Sequence, residues 1–280
     1  PVILIELLKS IKKIYLIINK TDKPTLVFLD YPNSKSLDTN LSVKFFTKNG
    51  LDVIKADLTQ FKLKGDKVYV QGKEVDIVIC NMKIQDIIKQ QIEGENFIKG
   101  YLKQSFYLFN HPSALYGEEK NLFSIITNPE FQSIYNKKEL EIIKSHIPWT
   151  RMLSEVQTSC PNKNITDLKE FVVNNKNQLI LKPVFKGNLK KILLGIELKQ
   201  EEWEKTINLH FGNQDWIVQQ YIPLKTIPMP TLNNKKVTVE HKHFYLNNFV
   251  INGNFAGVLG RFSNNPIVKT EDGILPVLRH

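Results

Sequence analysis

Cysteine is nearly absent from this 280-residue chain: there are two, Cys80 and Cys160, and they stand far apart. Isolated cysteines exclude a CxxC-type zinc cage and a disulfide framework, and they fit a reducing, cytoplasmic setting. Arginine is almost as scarce. Of the 38 basic residues three are Arg (Arg151, Arg261, Arg279) and the rest are Lys. The formal charge of +10 invites a nucleic-acid reading. Bidentate recognition of phosphates and base edges falls mainly to Arg, however, and the lysines here are spread along the chain, so nucleic acid ranks last among partners. Long apolar runs are missing too. No stretch approaches the roughly 18 consecutive apolar residues of a membrane span. The opening Pro1-Val-Ile-Leu-Ile-Glu-Leu-Leu is soon interrupted by Glu6 and Lys9, and it lacks the basic leader and cleavage site of a signal peptide. Neither membrane nor export is expected. The first residue is Pro rather than Met, which reads as a fragment or a processed product.

What is present is ordinary for a globular protein: 42% hydrophobic and 24% charged residues, in a chain long enough for one large or two medium domains. Residues 2–19 read as an amphipathic helix. Pro24-Thr-Leu-Val-Phe-Leu-Asp30, Leu51 to Ala56 and Val75 to Cys80 are short apolar runs of the kind found in buried parallel strands. A helix over 37–49, stopped at Asn49-Gly50, joins the first two. Phe61 to Val70 alternates and turns at Gly65-Asp66, a β-hairpin. Together these predict a small doubly wound α/β domain over 21–110, after an N-terminal helix in 1–20. Helices follow over 118–126 and 138–146, closed by Pro148-Trp-Thr-Arg151. Strands and helices then mix to the end of a 111–280 segment. No internal repeat stands out.

The richest stretch is 178–222. Gln178-Leu-Ile-Leu-Lys-Pro183 is a buried strand ending in lysine, followed by a turn around Gly187, a second strand (Ile192 to Gly195), a helix, and Trp216-Ile-Val-Gln-Gln-Tyr-Ile-Pro223. A strand-end ammonium can neutralise phosphate charge, and a glycine turn can bring backbone N–H groups over phosphates.

Five pieces in this order carry a resemblance: Val27-Phe-Leu-Asp30 with the Gly50 helix exit and Gly65 hairpin; Lys120 to Ile126 with His146 to Arg151; Leu181-Lys-Pro183; Val218 to Pro223; and Gly253 to Ser263. The chain resembles the circularly permuted ATP-grasp proteins related to glutathionylspermidine synthetase and eukaryotic glutathione synthetase. The resemblance implies a mixed α/β ATP-grasp fold in 111–280, with 21–110 as an interposed substrate domain. It implies an ATP-dependent carboxylate–amine ligase working through an acyl phosphate, with ATP and Mg²⁺ as cofactors. Partners would be small-molecule or peptide carboxylates and amines, and such ligases are often homodimers.

Residue by residue, the resemblance makes Lys120 and Lys182 the phosphate lysines and Gly187 the apex of the phosphate loop, with Asn188 beside it. Gln219, Gln220, Tyr221 and Ile222 become the adenine hinge, chiefly through backbone groups of Tyr221 and Ile222. Arg261 becomes the catalytic arginine that orients the carboxylate. Asn252, Asn254, Ser263 and Asn265 are neutral groups near it in sequence, and Glu271-Asp-Gly273 matches a reduced lid. Two departures stand out. The loop Phe185-Lys-Gly-Asn-Leu-Lys190 has fewer glycines than the family's, and Gln220 stands where many members have Glu. The family's Glu-x-Asn metal motif precedes the interposed domain, so the metal ligands here are unassigned. Arg151 is a second phosphate candidate. His241 and His243 share a strand face but have no third ligand. A non-catalytic nucleotide- or peptide-binding module with a decayed site therefore stands as the alternative.

Overall fold

The computed structural model describes residues 2–19, 23–109, 111–161, 164–185, 192–233, 236–268 and 272–275. The chain forms two compact units. One holds 1–112, 246–260 and 274–280; the other holds 113–245 and 261–273.

The first unit opens with α1 (Val2–Asn19), β1 (Thr25–Leu29), α2 (Leu37–Lys48) and β2 (Asp52–Ala56). A small antiparallel sheet follows: β3 (Lys62–Lys64), β4 (Lys67–Val70) and β5 (Lys73–Glu74). Then come β6 (Ile77–Cys80), α3 (Ile84–Lys89), α4 (Glu95–Leu102) and β7 (Tyr107–Leu108). Strands β2-β1-β6-β7 make an all-parallel sheet in that order. Because side chains alternate along a strand, β1 feeds two cores. Leu26 and Phe28 pack with Ile11, Tyr15 and Phe46 of α1 and α2. Val27 and Leu29 pack with Phe61, Val68, Phe97 and Phe106 on the other side. Such strands read as continuous apolar runs because neither face meets water. The helix ends are locally encoded: the Ser36 hydroxyl accepts from Thr39 N–H at the start of α2, and Gly50 follows its end at φ +83.

The second unit contains α5 (Leu115–Glu118), α6 (Leu122–Ile126), α7 (Lys137–His146), β8 (Thr150–Met152), β9 (Gln157–Ser159), β10 (Ile165–Asp167) and α8 (Leu168–Asn174). It continues with β11 (Leu179–Pro183), β12 (Leu193–Leu194), α9 (Gln200–His210), β13 (Trp216–Gln220) and β14 (Thr226–Asn233). The long strands β15 (Lys236–Ile251) and β16 (Asn254–Ser263) follow, then β17 (Gly273–Leu275); residues 246–260 and 274–275 of these strands belong to the first unit. An antiparallel sheet β12-β11-β13-β8 holds the strands of the 178–222 stretch, and β14-β15-β16-β17 form a second sheet. The helix expected over 118–126 is broken: Glu119 is extended at φ −77, ψ 132, and α6 starts at Leu122. The N–H of Lys120 reaches out to Val184 O (3.3 Å), a tertiary bond that competes with continuing the helix.

The hinge strand pairs with β11 in the register Leu179↔Gln220 through Pro183↔Trp216. Leu179, Leu181, Trp216 and Val218 therefore share one face, and they pack onto Leu168 and Val172 of α8 and Trp203 and Ile207 of α9. Ile180, Lys182, Ile217 and Gln219 share the other face.

Candidate functional site

That second face gathers two of the expected site residues, Lys182 and Gln219. The Lys182 ammonium donates to Gln219 Oε1 at 2.7 Å, and Gln219 Nε2 donates to the Thr150 hydroxyl at 2.8 Å. Gln219 and Thr150 are both buried and lie opposite each other in the β13–β8 register. Lys120 arrives from the turn before α6. Its Nζ donates to Pro183 O at 3.0 Å and approaches Val184 O at 3.5 Å, at the exit of β11. Burial, then the nearby Lys120 charge, lower the Lys182 pKa from its ordinary 10.5. The two lysines are thus close enough for the charge of one to act on the other.

The hinge is partly committed already. The Gln220 N–H donates to Trp149 O and the Tyr221 N–H to Gln178 O, each at 2.8 Å. The Tyr221 amide, expected to read a base, is thus spent on the turn before β11. Ile222 is exposed, just past the end of β13. Gly187 and Asn188 lie outside the described residues, as does Glu271.

Arg151 does not reach the face of Lys182. It is fully buried and donates to Thr158 Oγ1, Thr127 Oγ1, Thr150 O and both oxygens of Ser159, with Glu155 at 3.7 Å. Its register with Val218 turns it to the face opposite Lys182. It ties β8 to β9 and has a structural role.

Arg261 is half-buried near the end of β16, two residues before Ser263, so the two share a strand face. Ser263 and Asn265 line a small cavity of about 240 Å³ with Lys242, Asn264 and Asp272. Asn252 and Asn254 fall elsewhere, at the β15–β16 turn in the first unit, where Asn252 and Gly253 take φ of 50° and 74°. His241 and His243 lie on β15 opposite Pro228 and Thr226. Among the described residues no group of three or more His, Cys, Asp or Glu side chains is placed to hold a metal. A hard divalent ion such as Mg²⁺ takes carboxylate and amide oxygens. The buried Lys242 ammonium donates to two such oxygens, Glu240 Oε2 and Asn264 Oδ1. The residues at this cavity do not fit a magnesium ion.

Sequence reasoning missed three features. A larger cavity, about 690 Å³, adjoins the edge strand β8 and is walled by Ile125, Phe131, Met152, Val156 and Glu155, none of them an expected site residue. Asp30, just past β1, is buried and accepts from Tyr31 N–H (2.8 Å), Ser34 Oγ (2.9 Å) and Thr39 Oγ1 (2.9 Å), with Lys55 at 3.8 Å. Asn81, just past β6, joins this cluster through Thr39. β1 lies between β2 and β6, so the chain changes direction across the sheet there, and such a switch point opens a crevice at the strands' carboxyl ends. A Ser/Thr/Asn-rich loop after a strand ending in Asp is the signal that would have found it. The Lys242 cluster is the third.

The fold is that of the ATP-grasp ligases. A glutathione synthetase-like effector from Globodera pallida, in its apo form, superposes with a TM-score of 0.55 at 10% identity over 92% of this chain and 52% of that one. The chain thus spans about half the effector's length. More distant superpositions include the ATP-grasp ligase PsnB with a phosphomimetic variant of its minimal precursor, Mg and ADP (TM-score 0.42, 14% identity, 75% of this chain and 69% of that one). The macrocyclase MdnC with precursor peptide MdnA, from Microcystis aeruginosa MRC, gives 0.42 at 12% identity (78% and 72%). No protein-family model and no curated protein sequence matches the chain.

Proposed function

We propose that the chain is the nucleotide-clamping unit of an ATP-dependent carboxylate–amine ligase of the circularly permuted type. The carrying observation is the paired Lys120 and Lys182 ammoniums at the exit of β11, with Lys182 aligned by Gln219. In this reading the two lysines hold the phosphates, and the Gln219–Ile222 strand end borders the base. Unit 2 is the nucleotide domain, and unit 1, with its polar cluster of Asp30, Thr39 and Asn81, is the substrate-holding part. A substrate carboxylate oxygen attacks the γ-phosphorus, the bond to ADP breaks, and an acyl phosphate forms. An amine then attacks the acyl carbon, loses a proton and expels phosphate. Arg261 orients the carboxylate. Positioning and charge stabilisation supply most of the rate in such transfers. The acceptors are small-molecule or peptide carboxylates and amines. No step is routed through magnesium, which the residues around Lys242 do not fit.

The test is titration calorimetry with ATP on the chain and on Lys182→Ala. Loss of one charged phosphate contact weakens binding by roughly 10- to 100-fold (about 1.5–3 kcal/mol). Equal affinity in the two proteins would remove the basis of the assignment.

One observation favours a second reading, a nucleotide- or peptide-binding module without turnover. The oxygens suited to a metal at Lys242 already hold an ammonium. Such a module would bind ATP through Lys182 and release no phosphate with any acceptor.

A further inference from the structure

The cavity of about 690 Å³ at the outer edge of β8 plays no part in the clamp. It lies two strands away from β11, which carries Lys182. Its volume falls in the range of small-molecule pockets, about 300–1,000 Å³, and so does its make-up of apolar walls with a few polar groups. Ile125, Phe131, Val156 and Ile165 around it are all exposed. Large apolar side chains gathered in one place and left open to water mark a binding surface.

Two observations define the occupant. The first concerns the backbone of β8. Trp149 O and the Leu153 N–H bond to β13, so the outward-facing groups are those of Thr150 and Met152. The Thr150 N–H donates to Thr127 Oγ1 (3.2 Å), and Thr150 O accepts from Arg151 Nη1 (2.7 Å). The Met152 N–H donates to Glu155 Oε1 (3.0 Å), and Met152 O accepts from the Glu155 N–H (3.3 Å). An added strand needs free ladder groups, and these are taken, so an extended peptide cannot continue the sheet at β8. The second observation is charge. In a chain of net charge +10, the charged side chains of this lining, among the described residues, are both acids, Glu130 and Glu155. Arg151, buried against the Thr158 and Ser159 hydroxyls of the same lining, offsets one of them, because Glu155 lies 3.7 Å from its Nε. Glu130 is exposed and adjoins Phe131 in sequence. A carboxylate has about four acceptor sites, and Glu130 Oε2 accepts one bond from Asn128 Nδ2, at 3.4 Å.

We propose that this cavity binds a small organic cation with an apolar body, a protonated arylalkylamine being the simplest example. Glu130 takes the ammonium, and Ile125, Phe131, Met152 and Val156 take the apolar part. An aromatic wall beside the carboxylate adds attraction for a cation. An anion of the same shape meets two carboxylates and is rejected. The site requires neither nucleotide nor turnover, so it is independent of the ligase reading.

The experiment is a ligand-observed proton NMR titration at neutral pH with matched probes: phenylbutylamine, phenylbutanol and phenylbutyrate. The amine is expected to bind with a dissociation constant on the order of 1 mM or below, the range open to a ligand of this size. It should bind roughly 3- to 10-fold more tightly than the alcohol, and the acid should bind least. Glu130→Gln is expected to abolish the preference for amine over alcohol while the alcohol still binds. Val156→Arg, which places a cation on an exposed wall position, is expected to weaken the amine by roughly 10-fold or more. Circular dichroism checks each fold, and Glu130→Gln alone decides the matter if the arginine variant unfolds. No amine binding at several times the expected constant overturns the inference. So does an alcohol or acid that binds as well as the amine, a preference that survives Glu130→Gln, or amine binding that a folded Val156→Arg leaves unchanged. Self-association of the wild type that Val156→Arg abolishes, seen by sedimentation, would make the cavity an interface between copies and would equally overturn it. The ATP titration on Lys182→Ala decides the ligase reading separately.

Discussion

At Lys182 the ammonium is disfavoured by burial and by the charge of Lys120, so its pKa lies below the ordinary 10.5. In the free protein the folded state releases this proton more readily than the unfolded one. The fold therefore gains stability as pH rises through the lowered value toward 10.5, and lacks that gain below it. Phosphate binding has the opposite preference, because it needs the charged lysine. ATP affinity is expected to fall as pH rises through the Lys182 pKa, with proton uptake on binding, measured by calorimetry in two buffers of different ionisation enthalpy. Lys120→Ala removes the like charge and shifts that decline to higher pH. Affinity unchanged across the alkaline range would show that Lys182 does not hold the ligand. The sequence pointed to Lys182 because it ends an apolar strand. Its alignment by Gln219 and Thr150 was illegible, since the three lie on different strands and meet only through sheet register.

Among the elements, the β1–α2 connection depends on one carboxylate. Burial alone would raise the Asp30 pKa, but the Tyr31 N–H, the Ser34 and Thr39 hydroxyls and Lys55 outweigh it, and the pKa is lowered below 3.8. That stabilisation is complete above about pH 4 and is lost as pH falls through the lowered value. Asp30→Asn should cost about 1–3 kcal/mol in urea denaturation at neutral pH, and the gap to wild type should narrow in acid. An element of the clamp sheet has a steric counterpart. A Cβ on Gly195, at the end of β12, would lie 2.0 Å from the backbone oxygen of Lys176. Backbone cannot yield as a side-chain tip does, so Gly195→Ala should lose about 1–3 kcal/mol by the same assay. The strand runs, the hairpin at Gly65 and the stop at Gly50 were readable because their signals are local. The break at Glu119 was not, because a distant carbonyl, Val184 O, competes for the chain there.

Across the whole molecule, Asp30 and Gly195 belong to different compact units and share no hydrogen-bond partner. Their destabilisations should add in the double variant to within about 0.5 kcal/mol, measured by chemical denaturation. A larger departure would mean that the two units unfold as one coupled body. No helix among the described residues is long and apolar enough to cross a membrane, and the cysteines Cys80 and Cys160 are both free and buried.

From the sequence by itself came the alternation of apolar strands and amphipathic helices, the apolar strand that carries Lys182, and the polar strand end at Gln219 to Ile222. Each is written in neighbouring residues whose periodicity and turn chemistry act over a few positions. Tertiary structure alone decided which charges meet. Arg151, a weaker phosphate candidate in one dimension than Lys182, is turned by register to the opposite face and absorbed by Thr158 and Ser159. Lys242, one lysine among many, is drawn inward by Asn264, 22 positions away, and by Glu240. The physical reason is that electrostatic partners are chosen by distance in space and by what water is excluded. Sequence spacing encodes neither until the sheets are paired.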